Sequence, residues 1–272
     1  MDIKVKPNKN MNIKAVDPED NGKWKGKKKE ALERLEKLRQ DLGELQEIIY
    51  AEHKHKVLIV FQAMDTAGKD GVIRSVFSGV NPQGVNVASF KVPTPIEADH
   101  DFLWRVHART PGKGQIVVFN RSHYEQVLVV RVNNLEPEKQ WQAHYDQINA
   151  FERLLSEEGT TILKFFLIIT KEEQKTRLLE RIDTPHKQWK FSPGDLPTRA
   201  QWDKYMDAYE DMLNLTSTEH APWFVIPAND NWYRDLMVAE TIVETLKDLN
   251  PKYPAAVKDI HQYRIQLLSE KK

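Results

Sequence analysis

Not one of the 272 residues is cysteine, so disulfides and thiolate metal sites are excluded, and the chain suits a reducing compartment. Net charge is missing as well. Forty Lys and Arg stand against forty Asp and Glu, which excludes a uniformly cationic nucleic-acid binder, a supercharged tail and an acidic disordered chain. No run approaches the roughly 18 uncharged apolar residues of a membrane-spanning helix, and the stretch Met1 to Asn10 lacks the apolar core of a secretory signal. The expectation is a soluble, cytoplasmic protein with neither membrane nor nucleic acid as a partner.

What remains is a chain with 40% hydrophobic residues, long enough to bury about 70–75% of its unfolded surface in one domain. The first 29 residues carry nine Lys against Asp2, Asp17, Glu19 and Asp20 and read as a basic arm (1–29) lying outside the core. From Glu30, Leu32, Leu35, Leu38, Leu42, Leu45 and Ile49 recur at three- and four-residue intervals as one helical stripe, fit to cover a sheet or to pair with another subunit. Apolar strands are expected at Val57–Phe61, Val85–Phe90, Gln115–Phe119, Thr161–Ile169 and Trp223–Ala228. Helices are expected around 72–80, 99–108, 138–157, 171–181 and 199–215, with a last one ending at Leu249. Strands that are apolar throughout belong to a parallel sheet covered on both faces. The fold class is therefore α/β, three-layer, with a five-stranded parallel sheet. The domain runs over 30–254, with a Pro-containing lid at about 182–200 and a polar tail at 255–272. Trp104, Trp141 and Trp232, at helical spacing, read as core.

The strongest local signal follows the first strand. A phosphate loop needs converging backbone N–H groups, a glycine where the chain curls, a helix N-terminus and a lysine that reaches the phosphates. Ala67, Gly68, Lys69, Asp70 and Gly71 supply these, although Ala63 replaces the first Gly of G-x-x-x-x-G-K-[ST] and Asp70 its hydroxyl. Asp65 and Asp70 so near a phosphate site call for a cation between the anions, with Mg²⁺ the expected mediator. An acid stabilised by the helix dipole is the alternative for Asp70. Beyond the third strand lies Phe119-Asn120-Arg121-Ser122-His123-Tyr124-Glu125. Strand carboxyl ends of a parallel sheet share one crevice, so Arg121 can neutralise a phosphoryl group and Glu125 can hold a metal or accept a proton; a surface Arg–Glu pair is the plainer alternative. Arg177 and Arg181 share a helix face, and Lys187 and Lys190 follow in the acid-free stretch 184–194, either a basic lid over phosphates or solvated charge. Thr170 and Glu173 read as a capping box rather than a guanine-reading element.

Together with Trp189-Lys190-Phe191-Ser192-Pro193-Gly194-Asp195-Leu196 and Ala221-Pro222-Trp223, these motifs resemble the polyphosphate kinase type 2 family over roughly Lys4 to Pro254. The resemblance implies a thymidylate-kinase-like P-loop kinase fold, inorganic polyphosphate as donor, Mg²⁺ (or Mn²⁺) as cofactor, and a homo-oligomer. It implies Asp65, Lys69, Arg121 and Glu125 as the catalytic set, Asp65 and Glu125 also as metal ligands, and Arg177, Arg181, Lys187 and Lys190 as polyphosphate contacts. Glu125, where the diphosphate-specific class carries Asn, implies acceptance of both AMP and ADP, with ATP as the final product. Phe90 and Lys91, beside the second strand, are the expected nucleotide contacts. An ATP-dependent nucleoside monophosphate kinase and a non-catalytic polyanion-binding module are the rival expectations; a regulatory GTPase is disfavoured because no guanine-reading element is found.

Overall fold

Five apolar segments pair in parallel in the order β2-β3-β1-β4-β5: β1 Lys56–Ala63, β2 Val85–Ser89, β3 Gln115–Asn120, β4 Thr160–Ile168 and β5 Trp223–Pro227. Seven of the eight β1 residues are buried, as a central strand covered on both faces requires. Its neighbours fix the register, with Val57 opposite Ile116 on β3 and Thr161 on β4. Because the chain leaves β1 toward β2 and β3 and later crosses to β4, the crevice opens at the carboxyl end of β1. The computed structural model describes residues 3–7, 9–22 and 24–270. Met1, Asp2, Asn8 and Lys23 of the expected arm, and Lys271 and Lys272 of the tail, lie outside the described residues.

The helices are α1 Lys28–Glu52, α2 Lys69–Val76, α3 Pro95–Ala98, α4 Trp104–His107, α5 Val129–Val132, α6 Glu138–Glu157, α7 Lys171–Asp183, α8 Asp195–Ala200, α9 Trp202–Thr216, α10 Asn231–Asp248 and α11 Ile260–Ser269. α1, α2 and α10 pack together on one face of the sheet, while α5, α6 and α9 pack on the other. The leucine stripe of α1 is thus accounted for within the chain. Leu35, Leu38, Leu42 and Ile49 are buried, with α10 alongside, whereas Leu32 is exposed.

Several expectations need correction. The arm does not stand outside the core: Ile3, Val5, Ile13 and Val16 are buried, and Lys4 bridges Phe224 antiparallel at the β5 edge. The Val5 N–H donates to Trp223 O at 2.8 Å, and the Val225 N–H to Ile3 O at 2.7 Å. Ile3 and Val5, set among lysines, are enough to pair an otherwise open sheet edge. Of the helix expected over 99–108 only α4 forms, with α3 ending before it at Ala98, because Asp101 Oδ1 accepts from the N–H groups of Leu103 and Trp104 and starts a new turn there. Trp104 is exposed and stacks on His100 at 4.1 Å instead of entering the core. Trp141 and Trp232 are partly buried against it. The helix after the phosphate loop runs over Lys69–Val76, not to residue 80. The lid, read as a loop, contains a 3-10 turn at Pro185–Lys190 and the short α8. The tail carries α11, which has no buried residue.

Candidate active site

The loop Met64–Gly68 turns from β1 into α2 with Thr66 at φ 68° and Gly68 at φ 103°. For the β-branched Thr66 that conformation is strained, and α7 holds it: Arg177 Nη1 donates to Thr66 O at 3.1 Å and Gln174 Nε2 to Asp65 O at 3.1 Å. α7 is itself started by the Thr170 hydroxyl, which accepts from Glu173 N–H at 3.0 Å. Lys69, the first residue of α2, is buried, and its Nζ donates to Ala63 O at 2.7 Å and Met64 O at 3.3 Å. Burial, with Arg121 nearby, lowers its pKa to about 8.

The segment after β3 brings the second half. Arg121, also left-handed at φ 61°, reaches back so that Nη2 donates to Asp65 Oδ1 at 2.8 Å. The Ser122 hydroxyl caps a 3-10 turn, His123–Gln126, that carries Glu125. The Gln62 amide, oriented to satisfy its neighbours, donates to Glu125 Oε1 at 3.0 Å while its oxygen accepts from Ser122 N–H. Burial pushes the Glu125 carboxyl up, against the pull of Arg121 and Lys69. Asp65, Arg121 and Glu125 line one cavity of about 240 Å³. A larger cavity, about 420 Å³ between α6 and α9, contains none of the loop or strand-end residues, so the smaller one is the candidate site.

Its other walls were not anticipated from sequence. Asp195 of α8, Asn133 beyond α5, and Tyr205 and Tyr209 of α9 face the same space. Asn133 donates to the Tyr205 hydroxyl at 3.3 Å. Asp195 is buried with Arg181 3.5 Å away, and burial, then Asp65, raises its pKa. One signal was available: Tyr205 and Tyr209 are four residues apart and so share a helix face.

The remaining candidates are distributed differently. Asp70 is exposed and accepts from Asn120 Nδ2 at 2.6 Å. Arg177 spends its guanidinium on Glu173 and on the carbonyls of Thr66, Ala228 and Asn229. Arg181 donates to Lys190 O, and Lys187 pairs with Glu180, so the lid's acid-free stretch borrows an acid from α7. Lys190 lies over the Trp189 ring at 5.2 Å. Phe90 is buried edge-on to Phe119 beneath Arg105; neither it nor the exposed Lys91 lines the cavity.

Asp65 and Glu125 offer hard carboxylate oxygens on one cavity. Among the described residues no cluster of three His, Cys, Asp or Glu could hold an ion unaided. That donor set fits a divalent ion that takes its other ligands from phosphate oxygens and water.

A parallel sheet in this order, with a lysine-bearing loop at the end of its central strand and an arginine and a carboxylate from the next strand on the same cavity, defines a P-loop kinase, a phosphotransferase. A family model described as Polyphosphate kinase 2 matches residues 7–254. The AMP/ADP-polyphosphate phosphotransferase of Meiothermus ruber is 57% identical over 251 residues, covering 92% of this chain and 94% of that one. The ADP-polyphosphate phosphotransferase of Rhodopseudomonas palustris is 46% identical over 272 residues, at 92% and 94% coverage. The crystal structure of polyphosphate kinase 2 from Arthrobacter aurescens superposes with a TM-score of 0.95 at 41% identity, over 98% of this chain and 95% of that one. The chain belongs to the polyphosphate kinase 2 family.

Proposed function

We propose that this phosphotransferase transfers phosphoryl groups from inorganic polyphosphate to AMP and to ADP, reversibly, giving ADP and ATP. The observation that carries the reading is the convergence of Asp65, Arg121 and Glu125 on one cavity beside the Lys69 loop, closed over by lid residue Asp195. The M. ruber relative, named for both acceptors, supports the choice of substrates.

In this reading the amides of Ala67–Gly71 and Lys69 Nζ hold the phosphates at the reacting centre. Lys69 would leave the carbonyls of Ala63 and Met64 for phosphate oxygens, a stronger, charge-assisted set. Arg121 stabilises charge on the transferred group while its bond to Asp65 fixes its aim. Asp65 and Glu125 would hold Mg²⁺ or Mn²⁺, which supplies the charge neutralisation that lets anions gather beside carboxylates. A phosphate oxygen needs little deprotonation to attack, so catalysis rests on positioning and electrostatics. Arg181, Lys187 and Lys190 meet the donor chain as the lid closes. Arg177 acts one step back, by fixing the loop, and the nucleoside rests against the Tyr205, Tyr209 and Asn133 wall.

The deciding assay supplies polyphosphate and AMP with no ATP. ADP and then ATP should appear. Turnover of AMP only when ATP is the donor would make the chain an ordinary monophosphate kinase, and binding of polyphosphate without turnover would make it a polyanion-binding module.

A further inference from the structure

Arg234 has no place in the scheme above, yet it is among the most completely buried cations of the chain, 3% exposed, in the first turn of α10. Its Nε donates to Asp235 Oδ1 at 2.8 Å, Nη2 lies 2.7 Å from the same oxygen, and Nη1 donates to Asn231 Oδ1 at 2.6 Å. Two of a guanidinium's five N–H groups make these hydrogen bonds and Nη2 adds an ion-pair contact, which leaves N–H groups on both terminal nitrogens. Those nitrogens are the two that meet the phosphate loop. A Cβ on Gly68 would overlap Nη1, and one on Gly71 would sit 3.3 Å from Nη2. Arg177 Nη1 is 3.7 Å from the same Gly68 position, so two arginines converge on one glycine. Like charges brought together in a buried place cost energy, and each carries its own carboxylate, Glu173 or Asp235.

We propose that Arg234 is a positioning residue for phosphoryl transfer: its guanidinium fills the space left by the missing side chains of Gly68 and Gly71, and so sets the curl of the phosphate loop and the aim of Lys69. The two glycines then have different reasons. Gly68 is needed for its positive φ as well as for the space. Gly71 has no such φ and sits inside helix α2, where glycine is normally inferior to alanine; its reason is Arg234. Arg177 braces the loop from α7 through Thr66 O, Arg234 from α10 through the glycines, and together they leave the inner face of the loop to phosphate.

The inference rests on the proposed polyphosphate reading, so the test begins with the unaltered enzyme, whose failure to use polyphosphate would defeat that reading and not this one. Arg234→Met and Arg234→Lys are compared with it by steady-state kinetics and by the thermal shift that inorganic tripolyphosphate produces. A loop misaimed by a fraction of an ångström should lose roughly 10–100-fold in kcat/KM for polyphosphate, with KM for AMP within about twofold of the unaltered value and the tripolyphosphate shift reduced. Gly71→Ala should keep or raise the melting temperature, as alanine in a helix does, yet raise KM for polyphosphate, and the loss should shrink in the Gly71→Ala/Arg234→Lys pair, where Nη2 is gone. Should Arg234→Met fail to fold, the Gly71→Ala and Arg234→Lys arms still decide. Unchanged kcat, KM and tripolyphosphate shift in the folded Arg234 variants, or equal Gly71→Ala effects in both backgrounds, would overturn the proposal.

Discussion

Two ionic clusters meet back to back on the segment after β3. Arg121 and Glu125 face the open cavity with Asp65, while His123 and Tyr124, between them in sequence, face a sealed one. There Lys164 Nζ donates to Glu152 at 2.6 Å, to the Tyr124 hydroxyl at 2.7 Å and to Thr216 O at 2.7 Å, using all three ammonium protons. The Tyr124 hydroxyl donates to Glu152 Oε1 at 2.7 Å, with His123 Nε2 3.3 Å from the same oxygen. The Lys164 and Glu152 side chains are both fully buried. In the sealed cluster Lys164 and Glu152 are matched to partners, and the buried His123 Nδ1 is the atom left without a hydrogen bond. In the open one Lys69 rests on two carbonyls, burial pushes Glu125 up, and two left-handed residues, Thr66 and Arg121, are held in place. The contrast separates two uses of buried charge: a lysine and a glutamate fully paired with each other fix shape, and charges short of partners are ready to take them from a substrate.

Removing one charge from each cluster should therefore have opposite signatures. Lys69→Ala should cost about 10³–10⁴ in kcat/KM for either acceptor, roughly 4–5 kcal/mol of barrier, while the melting temperature holds or rises, since a desolvated ammonium has been deleted. Activity loss matched by an equal loss of folded protein would erase the distinction. Lys164→Met should do the reverse. It leaves the buried Glu152 without its ammonium, held only by the Tyr124 hydroxyl and His123, costing about 3–5 kcal/mol of stability, read as a drop of about 10 °C in melting temperature. Adding Glu152→Gln should recover part of it, and a melt unchanged by Lys164→Met would show the pair to be dispensable.

This division was only half visible in the sequence. The alternation of apolar strands with amphipathic helices placed all five strands to within a residue or two, because burial on both faces leaves a compositional mark on the inner strands; the edge strand β2, expected to be covered like the rest, has no buried residue. Gly68-Lys69 and Arg121 to Glu125 were visible because chemistry at strand ends uses few residue types. Lys164 was not, since one lysine inside an apolar strand looks like an exposed position until Glu152 is brought beside it from α6. Asp195, Asn133 and Tyr205 escaped for the same reason: each comes from a separate element, and only the fold makes them neighbours. The arm was misjudged because lysines outnumber the four apolar residues that anchor it.

Acidity sharpens the comparison further. Lys69 holds its proton only to about pH 8, against an ordinary 10.5, chiefly through burial and then Arg121. In the proposed reading the charged form holds the phosphates, so kcat/KM should be level below pH 8 and fall about tenfold per unit above it. A bound polyanion favours the ammonium, so the limb in kcat should lie higher. Stability should run the other way: between about pH 8 and 10.5 the unfolded chain holds the Lys69 proton and the folded one does not, so this group's contribution rises with pH. Lys69→Arg should abolish both trends, and a kcat/KM limb that survives in Lys69→Arg would assign it elsewhere.

Glu125→Asn tests whether the open cluster also selects the acceptor. Asparagine is one methylene shorter than glutamate, so it gives up the contact with Gln62 together with the charge that burial already disfavours. The expectation is about a tenfold loss with AMP and under threefold with ADP, near 1 kcal/mol of discrimination. Equal losses for the two acceptors would leave Glu125 a general electrostatic residue without a part in selection.

The smallest effect should come from the lid. Lys187 is partly exposed and paired with Glu180, and such pairs contribute about 0–1 kcal/mol. To reach a polyphosphate chain Lys187 must give up Glu180, so what it gains from one anion it loses in part from the other. Lys190 has no carboxylate among its described contacts, only the exposed Trp189 ring, and can turn to phosphate at less cost. Lys190→Ala should therefore raise KM for polyphosphate more than Lys187→Ala does, by about two- to fivefold, and the gap should close at high salt as exposed charges are screened. The reverse order would mean that the lid closes on the donor with the Lys187–Glu180 pair already broken.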